Sequence, residues 1–396
     1  MRRAWWAVTV ATVVAIGALV AVGAYLLLST RETEGPAPGE PAVQSEPAPQ
    51  PPSPQPEAAP PPAPQAQPAP ASPPSPEPPP AAAPPSVTTS SSEAEPRFAW
   101  PAACTLGRDC FIQNYIDTDP SPRFANFRCD RLGYDGDNGT DIRLRDLAAM
   151  RSGVDILAAA DGTVIGVRDG EPDISVEERG VEAVKGRQAG NGVTIDHGGG
   201  WMTRYAHMKQ GSLRVKVGDT VKTGQPLGQI GLSGNTVFPH VEFSVFKGET
   251  FFDPFTALPV GSGCQTAGHP MWAAEVPYIP TGLLTAGFAA GQPDWEAARR
   301  GDYADVKGSR NAPLVLWAES FGVRGGDIQI VTIAGPDGKP VHQDRTVLAE
   351  SKNLWSVFSG RRAPPEGWKP GTYTGRYQLE RSGTLVVDTE RKLVMP

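Results

Sequence analysis

The chain has 396 residues, 39% of them hydrophobic, and a formal net charge of −7. Such a length could hold two ordinary domains if the apolar residues were evenly spread, and they are not. With 36 Lys and Arg against 43 Asp and Glu there is no basic footprint, so the composition argues against nucleic acid as a partner.

Ala4 to Leu28 is almost wholly apolar, with Arg2 and Arg3 in front and Arg31, Glu32 and Glu34 behind. Residues 1–30 therefore read as a single-pass membrane anchor, with the N-terminus in the cytoplasm and the rest of the chain outside it. A cleaved signal peptide is the alternative. Its apolar region usually runs for about 7–15 residues and ends at a small-x-small site, whereas this run closes on Tyr25, Leu26, Leu27 and Leu28. Residues 31–97 are dominated by Pro, Ala, Ser, Gln and Glu and bury too little apolar surface to offset chain entropy, which predicts a disordered spacer.

Residues 98–268 and 269–396 read as two folded units, both mainly β. In the first, VDILAAA, an Asp161-Gly162 turn and TVIGV predict a hairpin. A charged insertion between Asp169 and Ala189 reads as a solvated loop, with a short amphipathic helix as the alternative. GVTIDH, WMTRYAH, DTVKTGQPLGQIG and VEFSVF continue an antiparallel sheet. Beyond Met271, APLVLWAESF, DIQIVTIAG, LWSVF, GRYQLER and TLVVD are short strands at near-regular spacing, as in an immunoglobulin-like sandwich. His269 and His342 in that unit read as surface residues. Four cysteines, Cys104, Cys110, Cys129 and Cys264, follow the anchor, and their even number in an exported context predicts disulfides. Their spacing does not suit a structural zinc knot, and the three possible connectivities stay open.

Three segments carry the chemistry: DGDNGTD (Asp135 to Asp141), RYAHM (Arg204 to Met208) and FPHVEFSV (Phe238 to Val245). With GNGVTIDHGGGW and VKVGDTVKTGQPLGQIGLSGNT they occur in the order that resembles the M23 (lysostaphin/LytM-like) zinc metallopeptidases, over roughly Cys104 to Pro254. In that family an H-x-x-x-D motif and the second His of a late H-x-H motif bind zinc, and two further histidines handle protons. The resemblance implies an M23/LytM-like antiparallel sheet with an active groove across it. It places Asp141 at the family's Asp ligand and His207 and His240 at the proton-handling positions. Asp137 and Glu242 stand where the two His ligands would be. His197 matches a turn position, and Tyr205, two residues before His207 on the same strand, is expected to share its face and line the groove.

Two neutral imidazoles and one carboxylate leave a zinc ion net positive, which polarises a carbonyl and acidifies bound water. Three carboxylates would make the site formally negative and favour Mg, Ca or Mn over zinc. Three readings follow: a degenerate domain that binds peptidoglycan or regulates a cell-wall hydrolase, an active endopeptidase cutting peptidoglycan cross-links with a carboxylate-rich divalent metal site, or a structural envelope protein whose C-terminal sandwich carries the main interaction.

Overall fold

A computed structural model of the chain describes residues 95–264 and 267–396. The expected anchor and the linker, apart from Glu95, Pro96 and Arg97, lie outside the described residues. Among the described residues no helix is long and apolar enough to cross a membrane.

The first unit is built on one antiparallel sheet. Its strands are β1 (Cys110–Asn114), β2 (Thr140–Leu144), β4 (Gly162–Arg168), β5 (Asn191–Gly198), β6 (Trp201–Met208), β7 (Thr220–Val221) and β9 (His240–Lys247), in the spatial order β1-β2-β9-β6-β5-β4-β7. Between them β3 (Asp155–Leu157) and β8 (Pro226–Gln229) pair as a separate ribbon, and β10 (Thr250–Asp253) and β11 (Leu258–Pro259) extend the sheet beyond β9. The period-2 alternation of strands explains the central one: Val241, Phe243 and Val245 of β9 point into the core, and His240, Glu242 and Ser244 point to the other face. Phe243 packs edge-on against Phe98 at 5.9 Å and beside Trp272 at 5.6 Å, so segments from before and after the sheet close its apolar face. Burial of a ring such as Phe243 contributes roughly 2–3 kcal/mol.

The expected hairpin at Asp161-Gly162 does not form. β3 pairs with β8, while β4 pairs with β5 and β7. A tight two-residue hairpin requires positive φ at its turn, and Gly162 does not adopt it. The Asp161 carboxylate instead accepts from Lys222 Nζ at 2.8 Å and Thr223 N at 2.8 Å, turning the chain from one sheet to the other. The charged insertion is likewise more ordered than a solvated loop. It forms a helical turn at Val176–Arg179 and a 3-10 turn at Val181–Val184, tied down by buried Glu171, which pairs with Arg179 at 2.9 Å and Arg187 at 2.6 Å.

The second unit holds β12 (Gly282–Ala289), β13 (Leu314–Val323), β14 (Ile328–Ala334), β15 (Pro340–Val347), β16 (Lys352–Arg361), β17 (Gly371–Arg381) and β18 (Thr384–Met395). They form antiparallel sheets in the orders β12-β13-β16 and β15-β14-β17-β18, which share a core of Phe288 and Leu316 from one sheet and Ile333, Tyr377 and Leu379 from the other. β12 and β15 were not anticipated. Two glycines and scattered small residues obscure β12, and β15 is largely polar and half-exposed, with Val341 packed on the core. The two units meet through Phe111 and Phe321, 5.8 Å apart, and through an ion pair of Arg324 with Asp130 at 2.7 Å. Within the second unit Gly322 is required by proximity: its φ is 64°, and a Cβ there would lie 1.9 Å from the Pro280 carbonyl oxygen.

Cysteine pairs form as Cys104–Cys110 and Cys129–Cys264, separated by 6 and 135 residues. The second joins the loop between β1 and β2, rather than a segment before the sheet, to the far end of the sheet domain; the first closes a local loop. Chain-entropy arguments assign about 5 kcal/mol to the long loop and about 2 kcal/mol to the short one. Replacing Cys129 and Cys264 together by Ser should therefore lower the melting temperature more than replacing Cys104 and Cys110. Thermal denaturation of both variants under oxidising conditions checks this, and an equal loss would contradict it.

Candidate functional site

Strand register assembles the site. Asp141 of β2 and Ala206 of β6 both pair with Glu242 of β9, Asn114 of β1 pairs with Asp141, and Arg143 pairs with His240. All these residues lie on the sheet face opposite the core, which the loop before β2 caps with Asp137. Gly139 in that loop is required by proximity, since a Cβ there would stand 2.4 Å from Glu242 Cγ.

His207 reaches the same face by a route that strand alternation does not supply. Ala206 and His207 together oppose the single residue Gly192 of β5, and His207 has φ of 59°, so a β-bulge turns its ring across the sheet. Tyr205 accordingly stays on the other face. It is fully buried, its hydroxyl accepts from Ala159 N at 2.8 Å, and it does not line the groove. His197 also faces the core side, bonded to Asp161 O and Thr203 Oγ1 with its ring against Phe98.

The five expected side chains are thus neighbours, and each is at least nine-tenths buried. The two imidazoles lie with ring centroids 4.5 Å apart, each oriented by a carbonyl at Nδ1: Ser233 O at 2.7 Å for His207 and Phe238 O at 2.9 Å for His240. His207 Nε2 is 3.3 Å from Glu242 Oε2, and His240 Nε2 is 3.5 Å from Asp141 Oδ1. Glu242 Oε1 accepts from Arg204 Nη2 at 2.8 Å and Ser244 Oγ at 3.1 Å. Asp141 Oδ2 accepts from Asn114 Nδ2 at 2.8 Å, and Asp137 Oδ1 from Gly139 N at 3.2 Å.

These contacts sort the charges. Burial pushes the Glu242 carboxyl up, but the His207 hydrogen bond and the charges of His207 and Arg204 outweigh it and hold Glu242 well below the usual carboxylate range. Burial opposes a charged His207, yet Glu242 raises its pKa above the ordinary histidine value. Burial and then the charge of His207 push His240 down to about 3, so it is neutral. Burial, reinforced by the negative charge of Glu242, raises Asp141 to about 7. Asp137 is also raised well above the ordinary value, by burial and by its two acidic neighbours. One ionised carboxylate with two cations beside it, and two acids biased toward their neutral forms, is an arrangement that balances its charge from within.

The donor set does not fit zinc. Among the described residues one trio of possible ligand atoms lies within 4.8 Å of one another, Cys104, Asp109 and Cys110, and its two sulfurs are joined as a disulfide. Asp137, Asp141 and Glu242 do not converge in this way, and both oxygens of Glu242 already face cations. Imidazole, the ligand type that suits zinc, is missing from two of the three ligand positions. Asp137 Oδ2 and Asp141 Oδ1 have no hydrogen-bond partner.

Residues 137–254 match peptidase family M23. This segment is an M23 domain. It is similar to the peptidoglycan DD-endopeptidase ShyA of Vibrio cholerae, at 32% identity over 108 residues, 27% of this chain and 20% of that protein. The cell division protein DipM of Caulobacter vibrioides is 34% identical over 108 residues, 25% of this chain and 17% of that protein. Among solved structures, the catalytic domain of lysostaphin from Staphylococcus simulans matches with 21% identity and a TM-score of 0.23, covering 36% of this chain and 82% of that one. The chain spans about a fifth of the length of ShyA and DipM.

Arg204 is the residue of the M23 domain that motif reasoning passed over. It sits two positions before Ala206, the strand partner of Glu242; alternation counted from His207 puts it on the opposite face, and only the bulge at His207 and the register of β6 on β9 bring it to the Glu242 side. Its cation is the nearest countercharge to Glu242, at 2.8 Å.

A pH-dependent stability follows from Asp141. Because its folded pKa is raised, the folded state binds its proton more tightly than the unfolded state, and stability from this group falls as pH rises from about 4 to about 7. Asp141→Asn should remove that loss, stabilising the protein at pH 8 by on the order of 2–4 kcal/mol and leaving it nearly unchanged below about pH 4. Denaturant titrations at the two pH values measure it; an Asn variant that is less stable at pH 8 would contradict the charge assignment.

Proposed function

We propose that this chain is a membrane-anchored envelope protein whose M23 domain has lost hydrolysis and instead binds peptidoglycan or regulates a cell-wall hydrolase. The observation that carries the reading is the engagement of Glu242 by Arg204 and His207. A divalent ion at this position would have to displace a guanidinium already bonded to the carboxylate, and would gain a weakly electrophilic all-carboxylate shell in exchange. Two relatives support the setting: ShyA is a peptidoglycan DD-endopeptidase, and DipM is a cell division protein. The apolar stretch before residue 30, the spacer to residue 97 and the two disulfides are consistent with a domain held on the periplasmic side of the inner membrane. We read the second unit as an immunoglobulin-like sandwich that serves as a binding module; its three- and four-stranded sheets over a shared core support that reading.

A second reading draws on the unpartnered oxygens of Asp137 and Asp141 and on the adjacent imidazoles. In it, a divalent metal bound by carboxylates supports cleavage of peptide cross-links, with His207 and His240 handling protons.

Zinc content and cross-link cleavage, measured on the unmodified protein, on Asp137→His, on Glu242→His and on the double variant, separate the two. The unmodified protein should hold little zinc and cleave nothing in a zinc-dependent manner, and the double variant should recover zinc binding. Single variants should recover less, since each leaves two carboxylates at the ion. Zinc-dependent cleavage by the unmodified protein, abolished by His207→Ala, would establish the second reading instead.

A further inference from the structure

A cleft of about 710 Å³ opens where the two units meet, away from the M23 site. One wall is formed by β12 and β18, neighbouring edges of the two sheets of the second unit, and the other by residues at the ends of β1 and β2 in the first unit. Four of its lining residues are cations: Arg108 and Arg145 from the first unit, Arg391 and Lys392 from β18. Asp146 and Asp388 also line it, but both are occupied. Asp388 is held by Arg376 through two contacts, at 2.8 and 2.5 Å, and Asp146 caps the helix Leu147–Ser152 by accepting from Ala149 N at 2.7 Å.

The cations are not matched in the same way. Arg391 is half-buried, and its guanidinium donates to neutral acceptors: Nε to Ala286 O at 3.0 Å, Nη1 to Thr389 Oγ1 at 2.8 Å and to Glu390 O at 2.9 Å. Among the described residues its Nη2 has no hydrogen-bond partner and the side chain has no ion pair. Arg145, across the cleft, has one ionic neighbour, the helix-capping Asp146, at 3.6 Å. Burial and the like charge of Arg145 together depress Arg391 below the ordinary arginine value. Two guanidiniums from different units thus face one space without a carboxylate free to separate them. Their planar forks match carboxylate and phosphate oxygens, and hydrogen bonds between ionised partners are about twice as strong as neutral ones. Junctions between domains are also where ligand clefts concentrate.

We infer that this cleft binds an oxyanion-bearing ligand, carboxylate or phosphate, gripped between Arg145 of the M23 domain and Arg391 of the second unit. The site lies outside the M23 groove and does not depend on whether that groove is catalytic. Because each unit contributes one guanidinium, occupancy would also stiffen the junction.

Isothermal titration of the full chain with inorganic pyrophosphate and, separately, with citrate tests the inference and distinguishes the two sources of oxyanion. Binding of either probe is expected, with Arg145→Gln and Arg391→Gln each weakening it about tenfold or more, the scale of one lost charge-assisted bidentate contact. Arg214→Gln, which removes an arginine paired with Asp155 elsewhere on the surface, should leave binding unchanged. Arg391 also ties β18 to β12, so the exposed Arg145 is the decisive position if Arg391→Gln folds poorly. Stronger binding of pyrophosphate assigns a phosphate ligand, and stronger binding of citrate a polycarboxylate. Absence of binding by both probes, or binding that Arg145→Gln leaves undiminished, would overturn the inference.

Discussion

The Glu242 carboxylate, buried at the centre of the sheet between Arg204 and His207, is the interaction from which the rest of the site follows. A charge so placed is tolerated only when cations compensate it, and here both come from β6, the neighbouring strand. The consequences spread outward by proximity. A charged His207 disfavours a proton on His240, and a charged Glu242 disfavours ionisation of Asp141 and Asp137. Asp137, Asp141, Glu242 and the two imidazoles thus form a polar cluster that satisfies most of its own electrostatics.

Sheet geometry makes this possible at modest cost. The apolar side chains of β9 fill the core, so the polar ones are presented together without local strain, and only His207 needs an unusual backbone conformation to join them. Strain of that kind costs about 1–3 kcal/mol and persists where the surroundings enforce it. Here a backbone bond from His207 N to Ala189 O at 2.9 Å and the Nδ1 contact with Ser233 supply the enforcement. Ala189 ends the charged insertion, so the ordering of that insertion by Glu171 and the position of the histidine are parts of one construction.

Much of this was legible in the chain. The alternation in HVEFSV declares which residues face the core and which face the site, and the order of motifs brings Asp137, Asp141, His207, His240 and Glu242 to one face as expected. What escaped depended on long-range pairing. The bulge at His207 exists because β5 offers Gly192 alone opposite two residues, which a single strand cannot reveal. Arg204 became a countercharge only through the register that sets Ala206 beside Glu242. The false hairpin at Asp161-Gly162 arose because a turn dipeptide says nothing about the partner of the strand before it. Likewise Glu171 finds Arg179 and Arg187, 8 and 16 residues away, through packing that no periodic pattern in the insertion announces.

Arg204 pairs with Glu242 at 2.8 Å, where the non-hydrolytic reading needs it to take the place of a metal ion. A double-mutant cycle of Arg204→Gln and Glu242→Gln, read by denaturant unfolding with added zinc and again with a chelator, measures that pairing directly. A coupling of about 1–3 kcal/mol is expected, reduced from a fully buried pair because Arg204 is partly exposed, with the same value under both conditions. A coupling near zero, together with stability that zinc raises and chelation lowers, would contradict that reading.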